Sequence, residues 1–233
     1  MIQIDKYLVV IPARGSSKGI PRKNVKLLNG KPLIHFTIEA AQNVFDSSRI
    51  CVSTEDLEIN ILAKQKGLNY SYVRPKELAT DLTSSHEVIL DVIEYYNKQG
   101  LAFETVVLLQ PTSPFRTAKH IIEAINLYES SDFEMVVSVK ETKCNPYFNL
   151  FEENEFGNLE LSKKGNFTSR QSAPKIYEYN GAIYIFSKET IMSKQFSEFE
   201  KIKKYEMSAI DSVDLDEPLD WKMAELILNE KTN

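Results

Sequence analysis

From residue 7 to residue 140 the chain alternates short apolar runs with segments of helical period, and this rhythm narrows the folds open to it. "KYLVVIP" reads as a buried strand, then "KPLIHFTIEAAQNVF" as a helix with Pro32 in its first turn and Ile34, Ile38, Ala41 and Phe45 on one face. "RICVST" is the next strand, followed by a helix over "DLEINILAKQKG" that Gly67 closes. "YSYV" gives a third strand. "SSHEVILDVIEYYNKQG" carries a capping box, Ser84 with Glu87, ahead of an apolar stripe at Ile89, Val92, Ile93 and Tyr96. The strand "TVVLLQP", the helix "TAKHIIEAINLYES" and the strand "EMVVSVK" complete the series. Such a βαβ succession predicts an α/β fold: a mostly parallel, twisted sheet with helices on both faces and right-handed crossovers. Ligands of such sheets sit beyond the carboxyl ends of the strands.

The rhythm breaks near residue 141. "NPYFNLFEENEFGNLELSKKGNFTSRQSAPKIYEYNGAIYIFS" is rich in aromatics, Asn and turn residues and reads as hairpins, with Asn180-Gly181 favouring a hairpin turn. No linker-like composition separates it, so residues 1–233 are expected to form one domain with residues 141–178 as an inserted arm. A strand near "YEMSAI" and a helix over "PLDWKMAELILNE" close the chain. The net charge of −5 argues against a general nucleic-acid or membrane-surface binder. No apolar run approaches the roughly 20 residues of a membrane span, and the N-terminus lacks a signal-peptide layout. Cys51 and Cys144 form no CxxC pair and read as reduced thiols of a cytoplasmic protein.

Against that acidic background "VVIPARGSSKGIPRKN" places Arg14, Lys18, Arg22 and Lys23 on one loop after the first strand. Glycines there let the backbone turn tightly, and clustered cations suit phosphate oxygens. The alternative is a solvated charged loop. The loop is neither a Walker A sequence nor GxGxxG. Residues 15–19 do match G-x-S-x-G, which would make Ser17 a hydrolase nucleophile, but Pro21 opposes the helix that a nucleophile elbow requires. The histidines, His35, His86 and His120, also come too early for the triad order.

Other stretches point to the same edge. In an extended "SVDLDEPLD", Asp214 and Asp216 share one side, and paired carboxylates with phosphate oxygens suit Mg²⁺. An acidic helix N-terminus is the competing account. "LLQPTSPFRT" ends a strand on Gln110, with Thr117 as a possible helix cap. "VRPKELATDLTSS" puts Arg74 after a strand and Ser85 at a helix start, where an anion or a carbonyl could bind. Arg170 fits either an anionic ligand or a rim salt bridge.

Taken in order, "IPARGSSKGIPRKN", "STED", "RPKELATD", "LLQPTSPFRT", "NGAIYIF" and "DSVDLDEPLDW" resemble the acylneuraminate cytidylyltransferases along nearly the whole chain. The octulosonate cytidylyltransferases are related, but "KGIPRKN" fits the sialic-acid branch better. The resemblance implies a Rossmann-like nucleotide-diphospho-sugar transferase fold, a homodimer joined through the inserted arm, and transfer of CMP from CTP to a free nine-carbon 2-keto acid sugar. It implies Arg14, Lys18 and Asp216 as catalytic. It implies contacts to the nucleotide from Pro12, Ala13, Arg14, Gly15, Ser17, Lys18, Asn24, Arg74 and Ser85. Gln110, Arg170 and Tyr184 would face the sugar, and Asp214 and Asp216 would hold Mg²⁺. Glu178 and Phe148 stand where some sialic-acid synthetases have arginine and lysine, which points toward a legionaminate-type or deaminated sugar.

Overall fold

The computed structural model describes residues 3–68 and 72–232. The first strand, β1 (Tyr7–Pro12), is followed by a small antiparallel pair, β2 (Leu27–Leu28) with β3 (Lys31–Pro32), and by α1 (Leu33–Gln42). Next come β4 (Ile50–Ser53), α2 (Leu57–Gln65), α3 (Ser85–Lys98), β5 (Thr105–Leu108), α4 (Ala118–Glu129) and β6 (Met135–Glu141). The arm holds a hairpin, β7 (Phe151–Glu153) with β8 (Leu159–Leu161). The chain ends with β9 (Tyr177–Ser187), α5 (Lys188–Ser193), β10 (Ile202–Glu206) and α6 (Pro218–Thr232).

The central sheet runs β10-β6-β9-β5-β1-β4. β1 is parallel to β4 and β5, β10 is parallel to β6, and β9 runs against both of its neighbours. Five strands therefore share one direction, as the βα rhythm requires. Alternation along each strand divides the core. Tyr7, Val9 and Ile11 face one side with Val107, the α1 residues Ile34 and Ile38, and the α4 residues Ile121 and Ile125. Leu8 and Val10 face the other with Val106, Leu108 and the α3 residues Ile89, Val92 and Ile93. Both faces are covered, which is why the strands read as continuous apolar runs.

Several boundaries and one motif differ from the sequence expectation. Pro32 precedes α1, in β3, instead of entering its first turn. Of the expected strand "YSYV", Tyr70 and Ser71 lie outside the described residues, and Tyr72 and Val73 are not in a strand. The last strand ends at Glu206, before most of "YEMSAI". Asn180-Gly181 is no hairpin turn: it sits inside β9, where the register with β6 shifts between Val137 and Val139. Gly181 has φ of +74° there, the left-handed backbone that a bulge demands and that also suits a turn. The Asn180 side chain satisfies the interrupted ladder. Its Oδ1 accepts from Ser138 Oγ at 2.6 Å and Ala182 N at 3.1 Å, and its Nδ2 donates to Ser212 Oγ at 2.8 Å. Cys51 is buried and Cys144 exposed, and both are free thiols; burial pushes the Cys51 thiol up to about 12.

Candidate active site

A third, smaller apolar cluster positions the site. Ile20 from the cationic loop and Leu215 from the acidic segment pack with Leu28, Leu33, Phe115, Trp221 and Ala224. One apolar residue in each polar stretch thus anchors it beneath α6, and the two stretches meet although nearly two hundred residues separate them. Gly19 permits the approach: a Cβ there would lie 1.9 Å from the Asp216 carbonyl oxygen. At Gly15 a Cβ would meet Asp56 Oδ2 at 2.4 Å. The clash at Gly19 is with backbone and requires the smallest residue, whereas at Gly15 a larger residue would have to push the Asp56 side chain aside.

The four loop cations take different roles. Arg22, with φ of +55°, turns away to pair with Asp56 and Glu58 at the start of α2. Lys23 turns inward and is 8% exposed. Its Nζ donates to the Leu215 carbonyl at 2.5 Å and to Asp216 Oδ1 at 2.9 Å. Burying an ammonium is costly unless it is paired and hydrogen-bonded, so this contact fixes loop and acid together. Arg14 and Lys18 stay near the surface, where they reach Asp81 at 2.6 and 2.9 Å. Lys23 and Asp81 were legible as residue types, yet their pairings depend on contacts across the fold that no local pattern announces.

A cavity of about 210 Å³ opens at the carboxyl ends of β1 and β5. It is lined by Pro12, Arg14, Ser16, Ser17, Lys23, Asn24, Gln110, Pro111, Thr112 and Asp216. No helix follows Ser17, which removes the nucleophile-elbow geometry. Asn24, also buried, donates from Nδ2 to the Arg14 carbonyl at 3.0 Å and so sets the loop's exit. Gly15 N donates to Glu55 Oε1 at 2.8 Å. Ser53, at the end of β4, gathers two further residues: its carbonyl accepts from Ala13 N at 2.9 Å and from Arg74 Nη2 at 2.7 Å. Arg74 is buried, and desolvation lowers its pKa. Ser85 is exposed at the first turn of α3.

On the opposite wall Leu215 N donates to the Thr112 carbonyl at 2.9 Å, tying the acidic segment to the loop after β5. Asp214 Oδ1 is buried and without a hydrogen-bond partner. Burial, reinforced by Asp216, pushes the Asp214 carboxyl above the ordinary range, while the nearby Thr112 hydroxyl and Lys23 oppose the shift. Asp214 Oδ2, Gln110 Oε1 and Ser113 Oγ all lie 3.7–3.8 Å from where a Cβ on Gly181 would stand, so the β9 bulge brings them to one point. Tyr184, in β9, meets the Tyr179 ring edge-on at 6.0 Å, and burial raises its hydroxyl to about 12. Arg116, fully buried, holds this corner by donating to the Gln110 and Ala182 carbonyls at 2.9 Å and to Thr37 Oγ1 at 2.5 Å. Desolvation lowers its pKa to about 9. The residue expected to face a sugar carboxylate, Arg170, is not among those lining the cavity: it is exposed on the arm.

A family model described as cytidylyltransferase matches residues 8–231. The chain belongs to the cytidylyltransferase family. It is therefore a nucleotidyltransferase, with the α/β fold of that family. This cytidylyltransferase is 34% identical to the CMP-N,N'-diacetyllegionaminic acid synthase of Legionella pneumophila, over 96% of both chains. It is also 34% identical to the N-acylneuraminate cytidylyltransferase of Escherichia coli, over 97% of this chain and 53% of that enzyme. In fold it is similar to a CMP:2-keto-3-deoxy-manno-octonic acid synthetase solved with CTP, with a TM-score of 0.69, 15% identity and 97% and 99% of the two chains covered. No helix of the described residues is long and apolar enough to cross a membrane.

Proposed function

We propose that this cytidylyltransferase couples CTP to a free nine-carbon 2-keto acid sugar, giving a CMP-sugar and pyrophosphate. The observation that carries the reading is the Lys23–Asp216 contact, which unites the cationic loop and the acidic segment across one cleft at the strand ends. In the reaction the sugar's anomeric hydroxyl gives its proton to a base, for which Asp216 is the candidate, and its oxygen forms a bond to the α-phosphorus as the bond to the bridging oxygen breaks and pyrophosphate leaves. Negative charge accumulates on the phosphorus oxygens and the leaving group. Arg14 and Lys18 would meet the triphosphate, with the Gly15 and Ser17 stretch and Asn24 shaping its cradle. Pro12, Ala13, Arg74 and Ser85 would surround the base and ribose, and Gln110 and Tyr184 would face the sugar.

Two carboxylates fit Mg²⁺. Asp214 offers a buried oxygen with no protein partner, Asp216 is largely exposed, and hard oxygen donors suit this ion. Among the described residues no group of three or more His, Cys, Asp or Glu could hold a metal ion, so phosphate oxygens and water would have to supply the other ligands. When bound, Mg²⁺ would neutralise charge on the phosphate oxygens.

Similarity to the legionaminic acid synthase extends over 96% of both chains. Glu178, paired with Lys140 at 3.0 Å, together with Phe148 favours a legionaminate-type sugar over N-acetylneuraminate. The hairpin exposes Phe151, Phe156 and Leu159, which supports an exchanged arm in a homodimer. Sedimentation of a monomer alone at micromolar protein would remove that part. A CTP-consuming enzyme with free thiols is assigned to the cytoplasm. The deciding assay offers the purified protein CTP, Mg²⁺ and a panel of nonulosonates and octulosonate. Pyrophosphate is expected with CTP and a nonulosonate and not with UTP, ATP or GTP. CTP binding without pyrophosphate from any sugar would make the chain a nucleotide-sugar binder instead.

A further inference from the structure

We infer that Asp81 is an internal anion that occupies Arg14 and Lys18 in the ligand-free protein and is exchanged for the triphosphate of the incoming nucleotide. The inference rests on the reading of the cationic loop as the triphosphate site. Asp81 uses one oxygen for each cation: Oδ1 lies 2.6 Å from Arg14 Nη1 and Oδ2 2.9 Å from Lys18 Nζ. The backbone of the same segment joins in, since the Thr80 carbonyl accepts from Arg14 Nη1 at 3.3 Å. The segment has its own small frame, with Thr80 and Thr83 hydroxyls 2.8 Å apart and Thr83 donating to the Glu77 carbonyl at 3.3 Å. It runs directly into α3, whose first residue is Ser85.

Two cations held side by side repel each other unless an anion lies between them. Asp81 supplies that anion, so the loop keeps a phosphate-ready spacing before any nucleotide arrives. The pairing is also weak enough to break. The Lys18 side chain is 78% exposed and that of Asp81 40%, so water and salt screen both contacts. Lys23 with Asp216 is the opposite case, because its ammonium is buried and also bonded to a carbonyl. A triphosphate carries more charge and more acceptor oxygens than one carboxylate, and a carboxylate left beside it would be repelled. Nucleotide entry therefore displaces Asp81 and frees residues 80–84 to move at the start of α3.

The test measures binding of CTP and of inorganic pyrophosphate by calorimetry in wild type, Asp81→Asn, Asp81→Ser, Glu77→Gln and Arg14→Ala. Glu77 lies on the same segment but holds neither cation. Both Asp81 variants are expected to bind CTP and pyrophosphate about fivefold tighter at low salt, the scale of two exposed ion pairs. Glu77→Gln is expected to change neither, and the gain is expected to shrink in high salt. Unchanged or weaker binding in the Asp81 variants overturns the exchange, and so does an equal gain in Glu77→Gln, which would mark a general charge effect. Arg14→Ala separates the two readings. If it weakens CTP binding while Asp81→Asn gives no gain, the triphosphate site stands and the exchange fails. If it leaves CTP binding intact, the loop is not the triphosphate site and both fail.

Discussion

The cleft at the ends of β1 and β5 and the arm after β6 are built in opposite ways. In the cleft, polar residues from distant stretches are clamped by buried groups: Ile20 and Leu215 in one apolar cluster, Lys23 on Asp216, and Arg116 on the Gln110 and Ala182 carbonyls. Along the arm the hairpin side chains are exposed or half-exposed, and its contacts are mostly local turns such as those around Asn145 and Asn154. The cleft is held together within one chain, whereas Arg170, Phe151 and Phe156 stand exposed on the arm. Preorganised charge acts on a transition state without reorganising, whereas adaptable segments suit the part of a family's substrate that varies.

The largest expected effect sharpens this contrast from the cleft side. Asp216→Asn should lower kcat/KM by about two to three orders of magnitude in the pyrophosphate assay, and it should also lower the melting temperature because buried Lys23 loses its charge partner. Removing Arg116, a clamp with no proposed ligand contact, should act on the fold alone. Arg116→Met strands the Gln110 and Ala182 carbonyls, and a loss of about 3 kcal/mol is expected in urea unfolding. From the arm side, Arg170→Ala should raise the sugar KM about tenfold with CTP KM unmoved; a parallel rise in CTP KM would break the division between the two regions.

The smallest effect concerns Asp214. Burial and then Asp216 raise its pKa. A carboxyl raised in the folded state contributes stability that is present below its unfolded value and lost as pH rises through its folded value. The buried Asp214 carboxylate is therefore unfavourable to the ligand-free protein wherever it ionises. Asp214→Asn should abolish turnover yet raise Tm by about 2 °C, roughly 1 kcal/mol for a chain of this size, and the gain should vanish in acid. A lower Tm at neutral pH would show that the carboxylate is already satisfied.

Much of the scaffold was legible because it is local. Apolar runs marked β1, β4, β5 and β6, and the Ser84–Glu87 box marked the start of α3. The glycines of the cationic loop signalled close approach, although not what they approach. The misreadings are long-range. Asn180-Gly181 carries the same backbone signal whether it turns a hairpin or bulges a strand, and only Ser138 and Ser212 decide between them. Lys23 reads in the sequence only as one of four clustered cations, because its burial depends on Leu215 and Asp216. Arg116 stood in a quoted motif, but nothing nearby in sequence shows that it is buried among carbonyls.

One chain is expected to present a complete nucleotide side before any sugar binds. Calorimetric titration of CTP with Mg²⁺, in the absence of sugar, tests it most directly when wild type is compared with Lys23→Ala. One CTP should bind per chain in wild type, with affinity at least tenfold weaker in Lys23→Ala and pyrophosphate release lost on adding sugar. CTP binding that appears only once sugar is present, or that is equally tight in both proteins, would contradict it.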